Sequence, residues 1–351
     1  MAPREGHIDA ENQEENGGAE NQEENGPVKQ NTGYIDIDSG EEQRSRLAKK
    51  LWRSVVLSNL GKGWQRGGSV ATFICIITLP FLFYSWKDVV GVWYMPLLGL
   101  AAAPLPSGGA PIAGGIIFFP FLTEIGVGAN QAVAFSAATQ MIGCGLLTPL
   151  NWIVEDKSVF MWNIIPITLV PGSLGCFCAL FLLPLSNEAV ELFFAFFCLV
   201  LGFYVIHGLR NTLITNNEAV ELTSKKVRAL YVTVSFIGGL VTGWIGIGIE
   251  KALFVLLTSY PHKAEIRRAC ITSISVVGWI SLASTLAHAL DPGDLPYLLW
   301  LAGLPGVFLG SRLGPALNRA LGPRNIMLVF SALLFVDAAR KFQKSYRHYL
   351  A

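Results

Sequence analysis

Long apolar stretches recur along this chain from residue 69 to residue 340, and they constrain its fold more than any other feature. Only 15% of the 351 residues are charged, whereas soluble domains carry about 25%. About 20 apolar residues can cross a bilayer as a helix, which satisfies its own backbone groups in lipid. The sequence therefore predicts an all-α, polytopic integral membrane protein and excludes an ordinary soluble enzyme.

Nine of the stretches are long enough, or nearly so, to cross a membrane. They lie near residues 69–86, 89–106, 130–150, 162–185, 189–209, 228–245, 267–290, 295–313 and 325–340. Two shorter stretches, 108–124 and 247–260, bring the expected total to between nine and eleven spans.

Each short stretch opens with helix-breaking residues at what should be membrane depth. The first sequence is APLPSGGAPIAGGIIFFPF at 103–121, and the second is GGLVTGWIGIGIEKALFVL at 238–256. Irregular backbone is tolerated in the hydrocarbon layer only where it is buried in protein or lines a water-filled cavity. Two breaks in corresponding positions therefore indicate a transport site.

The corresponding positions indicate an internal repeat. Its first copy covers about 89–210, and its second copy covers about 228–340. An offset of 136 residues lays 132–137 over 268–273, and an offset of 134 lays Pro171 and Gly172 over Pro305 and Gly306. Five spans in each copy would invert the second copy in the membrane. Together the copies form the predicted transporter domain, 69–340.

The charges of the connections agree with inversion. The connections 125–130 and 186–189 contain no Lys or Arg, whereas their counterparts contain Lys263, Arg267, Arg268, Arg312, Arg319 and Arg324. The positive-inside rule then predicts a cytoplasmic N-terminus. The basic tail 341–351 disagrees, because eleven crossings would place it outside. Either the last stretch does not cross, or one short stretch is re-entrant.

The first 68 residues are polar and divide into two segments. Residues 1–42 hold 12 acidic and two basic side chains and repeat AENQEENG, which predicts a disordered acidic tail. Residues 43–68 hold seven basic side chains and no acidic one, and 43–60 have the pattern of an amphipathic helix that binds anionic lipid. The net charge of +1 for the whole chain argues against nucleic-acid binding.

The chain lacks sequence motifs for catalysis or for a cofactor. It has no GxSxG, HExxH or P-loop sequence, and its six cysteines fall in apolar stretches without a CxxC pair or a His cluster. We expect buried cysteines, no metal and no cofactor.

The two breaks and the sequence around them carry a family resemblance. GGAPIAGGIIFFPF is followed by GANQAVAFSAAT, and GWIGIGIEKALFVL is later followed by RRACITS. This arrangement over about 90–340 resembles the TauE/SafE family of sulfite and organosulfur-anion exporters. The resemblance implies an inverted-repeat permease that moves a small anion, such as sulfite or a sulfonate, by alternating access. The chain departs from the family at Ile249, Glu250 and Lys251, where a glycine run is usual.

Glycines at the two breaks are the first candidate binding residues, because backbone N–H groups at a helix start favour an anion. The first set is Ser107, Gly108, Gly109, Gly114 and Gly115, and the second is Gly243, Gly246 and Gly248. Glycines also allow close helix packing, which is the alternative for each of them.

Polar and charged groups inside the spans are the other candidates. Glu250 and Lys251 are adjacent charges that could bind an anion or exchange a coupling proton or cation; the alternative is a hydrated rim. The remaining candidates are Ser136, Thr139, Gln140, Thr272 and Ser273. These could contact oxyanion oxygens or serve as helix contacts.

Residues near the span ends suggest interfacial positions. Glu124, His207, His288 and Asp337 could relay protons, although an interfacial position is favoured for each. Tryptophans such as Trp86, Trp93, Trp152, Trp162 and Trp300 suggest an interfacial belt.

Two functional hypotheses follow from the sequence. One is a secondary transporter of a small anion. The other is a membrane receptor or scaffold with a transporter-like core and an acidic tail that binds a partner.

Overall fold

The computed structural model describes residues 63–211, 222, 224–259, 263–290 and 294–350. The predicted acidic tail 1–42 and the predicted lipid-binding helix 43–60 lie outside the described residues. These two segments therefore stay predictions.

The described residues form an all-α fold, as the sequence predicts. The helices are α1 (Gly63–Phe83), α2 (Trp86–Gly91), α3 (Tyr94–Ala102), α4 (Pro104–Ser107), α5 (Gly115–Glu124), α6 (Ala129–Ile142), α7 (Thr148–Asp156), α8 (Ile164–Phe177), α9 (Asn187–Asn211), α10 (Lys225–Ile245), α11 (Ile249–Thr258), α12 (Ile266–Ala289) and α13 (Tyr297–Leu350). A π-helical segment, Gly143–Leu147, joins α6 to α7, and a second one, Cys178–Leu182, extends α8. Helix α13 is bent by 108° at Gly322.

Fewer helices are long and apolar enough to span a membrane than the nine to eleven predicted. Within the described part of the chain there are five, or six if the two arms of α13 count as one broken span. One reason is that the predicted span 89–106 is divided among α2, α3 and α4, with prolines in α3 and α4. The two predicted short stretches are the ten-residue helices α5 and α11.

Helices of the two halves pack against each other in two matching pairs. In one pair, α8 lies against α10, and a Cβ on Gly239 would lie 2.0 Å from the carbonyl oxygen of Gly172. In the other pair, α13 lies against α3, and a Cβ on Gly306 would lie 1.8 Å from the carbonyl oxygen of Pro96. Both contacts therefore depend on glycines that let two backbones approach closely.

These contacts also show which glycines correspond between the halves. A Cβ on Gly99 would lie 2.5 Å from the carbonyl oxygen of Gly303. In the other pair, a Cβ on Gly239 makes the equivalent contact with the carbonyl oxygen of Gly172, at 2.0 Å. Gly172 therefore corresponds to Gly303 in this packing. The 134-residue offset, which aligned Gly172 with Gly306, is three residues out of register here.

Helices α6 and α12 cross at the centre of the fold. At the crossing, a Cβ on Gly278 would lie 2.0 Å from the backbone nitrogen of Gly145, and Trp279 Nε1 donates to the carbonyl oxygen of Gly145 at 2.8 Å. Gly145 lies in the π-helical segment, where the widened turn leaves its carbonyl group available to a side chain. The crossing holds α6 between the two breaks.

We predict that Gly306→Ala lowers the free energy of unfolding by about 1–3 kcal/mol, because the new methyl group would collide with the backbone of α3. Thermal unfolding of the detergent-solubilised protein measures the effect. Gly91→Ala is the matched control, since a Cβ on Gly91 would have no neighbour within 4 Å. Equal melting temperatures for the two variants would contradict the close contact.

Candidate functional site

Each break contains a glycine with a backbone conformation that other residues rarely adopt. Gly109, in the segment between α4 and α5, has a φ of 88°. Gly246 has a φ of 73° and ends α10, with its N–H donated to the carbonyl oxygen of Thr242 at 2.8 Å. Glycine has no Cβ and adopts these positive values without strain.

The two breaks meet beside α6. A Cβ on Gly115 would lie 2.9 Å from Ile247 of the second break, and the Ser136 side chain lies against both Gly115 and Gly246. Gln140 Nε2 donates to the carbonyl oxygen of Gly246 at 2.8 Å, while its Oε1 accepts from Ser281 at 3.2 Å. Three polar side chains, those of Ser136, Gln140 and Ser281, therefore lie together beside the two breaks.

Glu250 connects the backbone of both breaks. Its Oε2 accepts from the N–H of Gly248 at 2.9 Å, and its Oε1 accepts from the N–H of Ala113, in the first break, at 3.3 Å. Glu250 Oε1 also pairs with Lys251 Nζ, and the two residues are 0% and 2% exposed. The alternative of a hydrated rim is therefore wrong. Lys251 also lies over the Phe197 ring, 5.8 Å from its centroid.

An inner cavity lies beside the first break and has room for about one water molecule. Its walls are Ala103, Pro106, Ser107, Gly114, Phe118, Thr139, Gln140, Gly143, Cys144, Val307 and Ser311. Four of these were predicted site residues, and none of them is charged. Ser311 Oγ is buried in this wall without a hydrogen-bond partner.

Several predicted site residues have hydroxyl groups engaged elsewhere. Thr139 donates to the carbonyl oxygen of Phe135, and Ser273 donates to that of Cys270, so both bond within their own helices. Thr272 Oγ1 accepts from the N–H of Met161 at 3.0 Å. Thr139 lines the inner cavity, whereas Thr272, Ser273, Lys251 and Gly248 do not.

A hydrogen-bonded cluster of buried side chains lies on one side of the first break. Ser107 Oγ lies 2.7 Å from Thr148 Oγ1, and Trp152 Nε1 donates to the carbonyl oxygen of Ser107 at 2.7 Å. Asn318 Nδ2 donates to the carbonyl oxygen of Gly108 at 2.6 Å. We call these five residues the seal. Trp152 is only 2% exposed, so the prediction of an interfacial position is wrong for this tryptophan.

A second cavity, which we call the vestibule, lies at the other end of α12. Trp152 of the seal shares a cluster with Ile271 near the start of α12, whereas the vestibule includes Ala287 and His288 at its end. The vestibule has a volume of about 260 Å³. Its walls are Asn130, Val133, Ala179, Leu180, Phe181, Pro184, Leu185, Val190, Gly243, Trp244, Ala287, His288 and Asp294.

Comparison with known proteins identifies the family. The sequence profile described as sulfite exporter TauE/SafE matches residues 95–340, which is most of the chain. The chain belongs to the TauE/SafE family. Membership in this family, together with the apolar helices, makes it an integral, multi-pass membrane protein of a transporter family and not of an enzyme family.

One curated relative of this TauE/SafE protein matches a shorter part. The probable membrane transporter protein YunE of Bacillus subtilis (strain 168) is 27% identical over 108 residues. The match covers 30% of this chain and 38% of YunE. No solved structure matches the chain at a significant level.

Sequence reasoning missed several residues of the candidate site. Thr148, Ser281, Ser311 and Asn318 are single polar residues in apolar surroundings, and no local pattern distinguishes them from ordinary helix contacts. Thr148, Ser281 and Asn318 bond to residues that are 41, 141 and 210 positions away, and Thr148 also bonds within its own turn. The hydroxyl group of Ser311 has no hydrogen-bond partner. Only the packing of the helices shows that they belong to the site.

We predict that Glu250→Gln destabilises the protein by about 3–5 kcal/mol, because Lys251 would be left buried without its partner. The double variant Glu250→Gln with Lys251→Met removes both charges and should recover much of this loss. Thermal unfolding of the variants measures both effects. Glu265→Gln, which breaks the more exposed pair with Arg267, is the control and should cost less than about 1 kcal/mol. Equal losses in both single variants would contradict the role of the buried pair.

Proposed function

We propose that this transporter moves a small sulfur-containing oxyanion, such as sulfite or a sulfonate, across the membrane by alternating access. The observation that carries the proposal is the inner cavity, where a helix start, an unpartnered hydroxyl group and an amide side chain come together at the first break. The family supports the choice of an oxyanion.

The chemistry of the cavity wall suits a small anion. Gly114 lies at the start of α5, where the helix dipole is positive. Ser311 Oγ is a buried hydroxyl group without a partner, and an anion oxygen would supply one. Because the residues that line the cavity carry no charge, the anion would be held by dipoles and hydrogen bonds and could be released again.

The position of the seal and the vestibule supports alternating access. The inner cavity is too small for an oxyanion, so the protein must open to admit one. The seal closes the end at which α12 begins, while the vestibule reaches towards the breaks from the end at which α12 finishes. The matching pairs α8 with α10 and α3 with α13 would let an inverted repeat exchange these roles.

The charge pattern suggests which end is cytoplasmic. Lys263, Arg267 and Arg319 lie at the seal end, whereas Asn130 and Asn187, which are bonded to each other, lie at the end with few basic residues. By the positive-inside rule, the vestibule opens to the outside and the seal faces the cytoplasm. This orientation supports a substrate path that is closed on the cytoplasmic side in the conformation described.

We predict that Ser311→Ala weakens anion binding about tenfold, because a hydrogen bond to a charged group contributes about 1.5–3 kcal/mol. Uptake of labelled sulfite, methanesulfonate and sulfate into proteoliposomes measures the change in apparent affinity. Ser331→Ala is the matched control, since Ser331 is a buried serine of the same helix that bonds to Met327 at 2.9 Å.

Two results would count against the proposed function. The first is an absence of flux for all three anions with folded wild-type protein. The second is an equal apparent affinity for the Ser311→Ala and Ser331→Ala variants, which would remove Ser311 from the binding site.

We also predict that breaking the seal exposes the inner cavity. In a variant whose only cysteine is Cys144, a small charged thiosulfonate reagent should react slowly, because Cys144 is buried in the wall of the cavity. Adding Trp152→Phe removes the indole donor to Ser107 and should increase the reaction rate about tenfold. Trp162→Phe is the control, since Trp162 is 53% exposed. Equal labelling rates for the two variants would contradict a gating role for the seal.

A further inference from the structure

The vestibule contains a buried histidine whose two ring nitrogens have different surroundings. His288 Nδ1 is hydrogen-bonded to Asp294 Oδ2, and the residue is only 6% exposed. Its other nitrogen, Nε2, is buried and has no hydrogen-bond partner. When Asp294 is ionised, it accepts the Nδ1–H, so the Nε2 lone pair is available to accept a proton.

Few other ionisable groups surround His288. Asp294 is the one ionisable neighbour among the residues that line the vestibule; Asn130 of α6, Gly243 and Trp244 of α10 and the residues of the extended α8 are neutral. On α9, Glu188 and Glu191 flank the lining residue Val190, and Glu188 is exposed to solvent. Asp291 lies outside the described residues.

One face of α6 carries residues of both the vestibule and the proposed anion site. Asn130, Val133, Ser136 and Gln140 are spaced by three or four residues, so they share this face. Asn130 and Val133 line the vestibule, Ser136 touches both breaks, and Gln140 lines the inner cavity. Ser136 Oγ is buried without a hydrogen-bond partner, midway along this face.

We propose that His288, held by Asp294, is the proton-binding site that couples proton movement to anion transport. This inference rests on the proposed function. A proton adds to the lone pair of His288 Nε2 and forms an imidazolium, whose charge is compensated by the Asp294 carboxylate.

The coupling follows from the charge of the pair. With His288 neutral, Asp294 leaves the vestibule with one negative charge, which repels an entering anion. With His288 protonated, the pair has no net charge and the anion can pass towards Ser136 and Gln140. Proton and anion therefore enter together. After the vestibule closes and the other side opens, the anion is released and the proton passes from Nε2 to water on that side.

Proteoliposomes that contain the full chain test this inference with two assays. The first measures exchange of labelled anion at equal pH and equal concentration on both sides, which reports transport alone. The second measures accumulation of the anion driven by a pH gradient, which reports coupling. Methanesulfonate is the preferred probe, because it stays ionised throughout and cannot carry the proton itself; sulfite is the second probe.

We expect His288→Gln to lose at least tenfold in both assays, because the charge of Asp294 is then never compensated and repels the anion. The double variant His288→Gln with Asp294→Asn removes the negative charge as well as the proton site, so it should recover exchange relative to His288→Gln but still lose at least tenfold in accumulation driven by the pH gradient. His207→Gln, at an exposed position of α9, is the control and should behave as wild type in both assays.

The possible outcomes are distinct. Accumulation by His288→Gln at the wild-type level would overturn the proton-binding role, as would an absence of accumulation driven by the pH gradient in a wild type that exchanges the anion. An absence of exchange of both anions by the wild type would instead overturn the proposed function, and this inference would fail with it.

Discussion

A helix that breaks inside a membrane leaves backbone groups that water cannot reach, and the rest of this structure depends on how they are satisfied. Glu250 bonds to the N–H groups of Gly248 and Ala113, so one carboxylate serves both breaks. The carboxylate is itself compensated by the neighbouring Lys251. Removing either charge alone would leave the other buried, so the pair constrains the geometry of both breaks together.

This arrangement separates two roles that the sequence could not distinguish. The charges of Glu250 and Lys251 hold the breaks in place, whereas the wall of the inner cavity consists of glycine, hydroxyl and amide groups. An anion bound in a wall without charged side chains is not held by a strong ion pair. Such a site is compatible with repeated loading and release, which a transporter requires.

The sequence predicted the helical class and, to within a few residues, the long helices Ile164–Leu182, Asn187–Asn211, Lys225–Ile245 and Ile266–Ala289, because apolar periodicity is a local property. It was wrong about 89–106, which prolines divide among three helices. It also predicted that Ser107, Gly114 and Gln140 belong near one site, because they surround the breaks. It was wrong about Trp152, which was predicted to be interfacial because it lies near the end of a predicted span. Its indole group lies instead in the seal, bonded to a residue 45 positions away.

By itself, the sequence determined the membrane class, the family and the existence of two matched breaks, since hydropathy and glycine spacing act over short distances along the chain. Only the tertiary structure decided that Glu250 reaches Ala113, that Gln140 reaches Gly246, and that Ser311 and Asn318 belong to the site. These contacts join residues more than 100 positions apart. These contacts depend on how each helix is rotated and where it crosses its neighbours. The local sequence of a helix does not determine which of its faces packs against which neighbour.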